Sequence, residues 1–351
     1  MPEPGRGHAV GRAYQLLVRI RMTNTRIPIL VALVLVGGIP FSRTVDAGSL
    51  DEQFYAPQTA IGFSPAELER WFDNKREAGQ QRDNEPATEE RRPKTLLESI
   101  LGRKGGKKDT EDERRIDPDR PHFPEASTTV GKGRVVLESG YTFNEKGASF
   151  FSHSYPEALL RVGMFTDWFE FRIGQNVLSE ETLKGVRTSA NGAQDLYLGV
   201  KVALTEQRQY LPEIALIPQM TVPTGSRAVT AGRVLPGLNV DFGWEVVKER
   251  FNIELLVATN RVRDDVHHSH VEVASGLTGV FGVTRRLEAF VEWDAFYPVG
   301  GTGQGTGPRH YAVGGLVYFI TKDVEVDIRA GVGLNARAND FLAGAGFAVR
   351  Y

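Results

Sequence analysis

The sequence predicts an all-β chain: a transmembrane antiparallel up-and-down β-barrel of about 12 strands, with a disordered N-terminal periplasmic segment. Three observations carry this. Apolar and polar residues alternate with period two through the second half of the chain, as in "FEFRIG" and "VEVDIRAGV". The links between strands alternate short and long. The final strand, "FLAGAGFAVRY", keeps its alternation to an aromatic last residue, Tyr351, where most domains end in a frayed polar tail.

The N-terminal third is of different material. Ile27–Pro40, "IPILVALVLVGGIP", is the only long apolar run. It falls short of the about 20 residues a helical span needs. Arg26 precedes it, and Val45 and Ala47 follow as small residues at a cleavage site. It reads as a signal peptide over residues 1–47, with Met22 as an alternative start, and is favoured over a single membrane anchor. No cysteine follows, so a lipoprotein anchor is excluded, as are disulfides and thiolate metal sites across the chain. Residues 48–130 carry both charge signs and few aromatics, and are expected to form a flexible charged periplasmic segment. One short helix is expected after Ser64 and Pro65. A solvated tether is favoured over a plug that folds into a pore. Of 38 glycines, 11 precede residue 131 and 27 follow from Gly131 on, which fits tight turns in the β-region.

Residues 131–351 are the barrel. Strands are expected at 133–144, 156–165, 168–176, 193–205, 211–224, 235–247, 251–260, 270–283, 287–299, 309–320, 324–335 and 340–351. "TDW", "KER", "TRR" and "TKD" are the tight links. "NEKGASFFSHS", "VLSEETLKGVRTSANG", "GSRAVTAGR", "NRVRDDVHHSH" and "GGTGQGTGPR" are the long ones. The even count returns the last strand to the side where the first began. On the strands other than the eighth and tenth, whose facing is ambiguous, one face carries Phe, Trp, Val and Leu, and the other mixes carboxylates, arginine and glycine. That is apolar outward to lipid and polar inward to a wet lumen. In lipid every backbone N–H and C=O needs a partner, which a closed sheet supplies.

Alternation assigns the lumen its candidates. The acids are Glu138, Glu170, Asp195, Asp241, Glu245, Glu254, Glu288, Glu292, Asp294, Glu325 and Asp327. The bases are Arg134, Arg161, Arg172, Lys201, Arg329 and Arg350. Eleven acids against six bases predict a mildly cation-preferring interior. Cross-strand ladders that fix register are the plainer reading of any one of them, with Arg161, Glu170 and Arg172 the best candidates for pairing. Phe347, Val349 and Tyr351 face lipid and resemble the signal read by the bacterial barrel assembly machinery. Net charge is only -2, so nothing points to nucleic acid. No cofactor is implied. Asp264–His270, "DDVHHSH", offers carboxylates and imidazoles, yet lacks ligands from distant segments, so a polar outer loop is favoured over a metal site. Asp265, His267 and Ser269 could in principle serve a rim hydrolase, but all lie in one loop.

Specific strings add a resemblance. "DRPHFPEASTTVGKGRVVLESGYTF", through Asp119-Arg120-Pro121, Gly133-Arg134, Glu138 and Gly140, resembles the opening of a bacterial outer-membrane family named for the MetA pathway of phenol degradation. Gly192, Asp195, Gly199 and Lys201 fit a second motif of that family. Gly314, Gly315, Tyr318, Asp327, Gly331 and Gly333 fit its penultimate hairpin. The resemblance covers Asp119–Tyr351 and implies an outer-membrane channel or transporter for small molecules, aromatic or otherwise hydrophobic. A non-conducting structural or adhesive barrel is the alternative. The charged stretch before Asp119 departs from the family's compact pattern.

Overall fold

The computed structural model describes residues 93–102, 115–147, 149–184, 186–263, 268–301 and 307–351. The expected signal peptide, the helix after Ser64 and most of the charged leader lie outside these. One short helix, α1 (Leu96–Ile100), is capped by Thr95, whose hydroxyl accepts from the Glu98 N–H at 3.3 Å. Among the described residues all other regular structure is strand.

A single antiparallel sheet closes on itself. Its wall runs through β1 (Val135–Lys146), β2 (Phe150–Ser154) with β3 (Ala158–Gly163), β4 (Phe169–Gln175) with β5 (Val177–Lys184), and β6 (Val186–Ala193) with β7 (Leu196–Thr205). Eight uninterrupted strands follow: β8 (Glu213–Val222), β9 (Leu235–Val247), β10 (Phe251–Arg263), β11 (Ser269–Gly282), β12 (Leu287–Val299), β13 (Arg309–Phe319), β14 (Val324–Gly333) and β15 (Phe341–Arg350). β15 pairs with both β14 and β1, so twelve staves surround the lumen. Closure is sealed at the last residue, where Tyr351 and Val135 exchange backbone hydrogen bonds of 2.8 and 3.1 Å.

Two of the expected long loops are strand instead. "NEKGASFFSHS" holds the upper end of β1 and β2, and "VLSEETLKGVRTSANG" holds β5 and β6, so these staves stand above the rest. Each of the three broken staves is interrupted at one level, at Tyr155–Glu157, Asn176 and Gln194–Asp195. Opposed segments there differ in length by a residue, the geometry of a β-bulge. Alternation hid these strands because Ser, Thr, Glu and Asn above the apolar band carry no apolar face.

The wall is inside-out, as lipid requires. Val291, Val326, Ile328 and Phe347 face outward and are exposed, while Glu138, Arg161, Glu170, Lys201 and Glu325 are sealed inside at 0 % exposure. The lumen is not polar all round. On β10–β13 it carries Leu256, Ala258, Ala274, Val280, Phe290 and Val313, forming an apolar inner face. Such a face needs something to cover it.

Candidate functional site: a plugged lumen

What covers it is the chain ahead of β1. The segment enters at the side of the short turns, where the Ile116 N–H donates to the Lys322 carbonyl at 2.7 Å and Arg115 pairs with Glu288 at 2.6 Å. It climbs inside the barrel through Asp119, turns over Arg120–Pro124 and descends. On the way down Val130 donates to Glu170 at 2.9 Å and Lys132 to Asp167 at 3.0 Å. The described end of the stretch expected as a tether is therefore a lumenal plug. Its composition is polar because its partners are the lumen's charges rather than water.

Asp119 is the hub of its seat. Arg161 and Arg172 face each other as register partners on β3 and β4. Like charges directly opposite are destabilising unless an anion is inserted. Asp119 inserts, with Arg161 at 3.2 Å, Arg172 at 2.5 Å and Lys201 at 2.7 Å. Glu170 takes Arg161 at 2.8 Å and Arg172 at 3.1 Å. Glu138 accepts from the Asp119 and Arg120 N–H groups, both at 3.1 Å, and from Arg161 at 3.1 Å. Burial alone would push the Asp119 carboxyl up. Arg161, Arg172 and Lys201 overcome it and hold Asp119 well below the usual carboxylate range.

The top of the plug reaches across. The Arg120 guanidinium lies on the paired Gly140 and Gly346, where no Cβ would fit, and bonds Glu157 at 2.8 Å and Asp327 at 3.3 Å. Phe123 packs on Phe296 with centroids 4.9 Å apart and covers the apolar inner face, while its N–H donates to Glu292 at 2.9 Å. His122 meets Phe290 edge-on at 4.5 Å and pairs with Glu254 at 3.0 Å. Burial would lower the imidazole, but Glu254 chiefly, then Glu292 and Glu288, raise it above the ordinary histidine value.

Space remains on both sides. A cavity of about 540 Å³ lies above the plug, floored by Arg172 and Glu125 and walled by Gln175, Asn176 and Gln194 at the strand interruptions. It adjoins a cavity of about 230 Å³ that reaches His122; Glu125, Glu157, Leu159 and Arg172 line both. Below, a third cavity of about 360 Å³ opens at the short-turn side and is lined by Glu254. His122 lines the second of these cavities and its partner Glu254 lines the third.

The expected lumen residues divide accordingly. Glu138, Arg161, Glu170, Arg172 and Lys201 meet at the Asp119 hub. Asp241 accepts from the Glu125 N–H at 3.1 Å, and Arg329 donates to the Pro121 carbonyl at 2.8 Å. Asp327, Glu254, Glu288 and Glu292 also touch the plug or the segment leading to it. Asp294 and Glu325 are buried with carboxylate oxygens that have no hydrogen-bond partner. Two belong elsewhere. Asp195 accepts from Gly225, Thr230 and Ala231, ties down the β8–β9 loop and lines the upper cavity away from the plug's seat. Glu245 is exposed at the short-turn rim, accepting from the Glu249 N–H. Of "DDVHHSH", Asp265 and His267 lie outside the described residues, and Ser269 accepts from Arg261 Nε at 3.2 Å. Among the described residues no group of three potential metal ligands occurs. The plug residues Arg120, His122 and Phe123 were not foreseen as site residues. The facing arginines Arg161 and Arg172, joined by Lys201, were the available signal: three cations against the wall's Glu138 and Glu170 leave room for a further anion.

A closed twelve-stave barrel, apolar outside and filled by its own N-terminal segment, defines a plugged transmembrane barrel of the outer-membrane type. The chain matches the model of the family described as "Putative MetA-pathway of phenol degradation" over residues 118–351, and it belongs to that family. No curated protein sequence matches it. Among solved structures, the COG4313 outer membrane channel from Pseudomonas putida F1 is similar at a TM-score of 0.52 and 12% identity, covering 66% of this chain and 100% of that one. The translocator domain of the autotransporter NalP from Neisseria meningitidis is similar at 0.40 and 10%, covering 62% and 88%. The CymD monoaromatic hydrocarbon channel follows at 0.36 and 8%, covering 63% and 89%.

Proposed function

We propose that the protein is a passive outer-membrane channel for small molecules and that the plug sets its bore. The observation that carries this is the row of cavities on both faces of the plug, where His122 lines one and its partner Glu254 the next. A purely structural barrel has no need of unfilled volume on both faces of its plug. The solute is small and amphipathic: the route has charged walls at Asp119 and Glu254 and an apolar one at Phe123, Leu159 and Leu256. Acids outnumber bases among the side chains assigned to the lumen, which favours cations over anions of equal size. Catalysis plays no part in this reading.

The test is single-channel current in a planar bilayer, comparing the native chain with His122→Ala and Glu254→Gln. The native chain gives small, discrete, modestly cation-preferring steps, and either substitution enlarges them. A folded barrel that stays silent in all three forms refutes the channel and favours the structural or adhesive alternative.

A further inference from the structure

Helix α1 has its polarity inverted. Thr95 and Glu98 are buried at 2 and 6 %, turned toward the barrel, where α1 packs on β7 and Arg208 approaches Glu98 at 3.8 Å. Leu97, Ile100 and Leu101 point away, with Ile100 71 % exposed. A helix docked on a protein in water does the reverse and buries its apolar stripe. The β7–β8 turn, which holds Arg208, adds Tyr210 and Leu211, both largely exposed.

This patch is continuous with the lipid-facing wall. Trp244 stands on the outward face of β9, stacked on Phe242, and its Nε1 donates to the Tyr210 carbonyl at 3.0 Å. Both belong to the aromatic belt at the short-turn side, the level at which such rings meet headgroups. Exposed Arg208 flanks the apolar residues with positive charge, as on a helix lying in a membrane surface.

We infer that α1 and the β7–β8 turn form a phospholipid-binding patch that anchors the leader to the periplasmic leaflet. The occupant is lipid because the inverted polarity of α1 follows the rule of the wall it adjoins. α1 precedes the family match at residues 118–351, whereas the β7–β8 turn lies within it. The inference does not depend on conduction.

The chain has no cysteine, so a single label reports cleanly. Ile100→Cys in the full-length protein is labelled with an environment-sensitive fluorophore and reconstituted into phosphatidylethanolamine–phosphatidylglycerol vesicles, with Arg187→Cys in the outer hairpin as the aqueous control. The label at Ile100 emits further to the blue than the control. Spin-labelled lipid quenches most of its emission, and aqueous iodide quenches little. Quenching by iodide and not by lipid, as at the control, overturns the inference. Protection from both quenchers also overturns it, because a protein segment then covers the patch. Leu101→Cys repeats the measurement one position on, should the Ile100 variant fold poorly.

Discussion

At the scale of single residues, the buried charges of the lumen are held by the plug as much as by the wall. Removing one partner from a buried network leaves the others unpaired and costs about 3–5 kcal/mol. Asp119→Ala takes from Lys201 its carboxylate partner and from Arg161 and Arg172 the anion that ties them to the plug, leaving them to Glu170, Glu138 and Glu125, so its plug is expected to unseat before the barrel melts. Protease cleavage near Asp119 in the folded, heat-modifiable protein reads this; an uncut plug counts against the hub. His122 gives a pH dependence. Its value is raised by Glu254, so its charge is complete below the ordinary histidine value and is lost as pH climbs through the raised one. The His122–Glu254 contact then weakens, and conductance is expected to grow from mildly acidic to alkaline solution. Glu254→Gln removes the partner and should flatten that profile.

At the scale of elements, the plug fits because two paired glycines leave a flat floor for Arg120. Gly346→Val puts a branched side chain where the guanidinium lies. The expected result is a barrel of normal heat-modifiability with raised conductance, and unchanged current would contradict the fit. The wall strands were legible from alternation because each has one face in lipid, and lipid tolerates no exception. Three things were not legible. β2, β5 and β6 rise above the apolar band, where that constraint ends. The apolar inner face at Leu256, Phe290 and Val313 breaks the polar-inside rule, because Phe123 replaces water there. The plug itself, "DPDRPHFPEASTT", has no period and reads as loop; only the two facing arginines hinted at it.

At the scale of the whole molecule, the barrel closes through its ends, with Tyr351 sealing the seam against Val135. Deleting Tyr351 should therefore impair membrane insertion more than deleting residues Gly303 to Gly307, as scored by heat-modifiable protein recovered from outer membranes. Equal recovery would count against the terminal strand as the assembly signal. The central claim is that an internal segment sets the bore of a channel. It is tested most directly by removing residues 116–130 while keeping β1 intact, and recording single-channel current beside the native chain. The shortened barrel is expected to conduct in steps several times larger, with a leak the native chain lacks. Steps of equal size, or silence from a barrel shown to be folded and inserted, would contradict it.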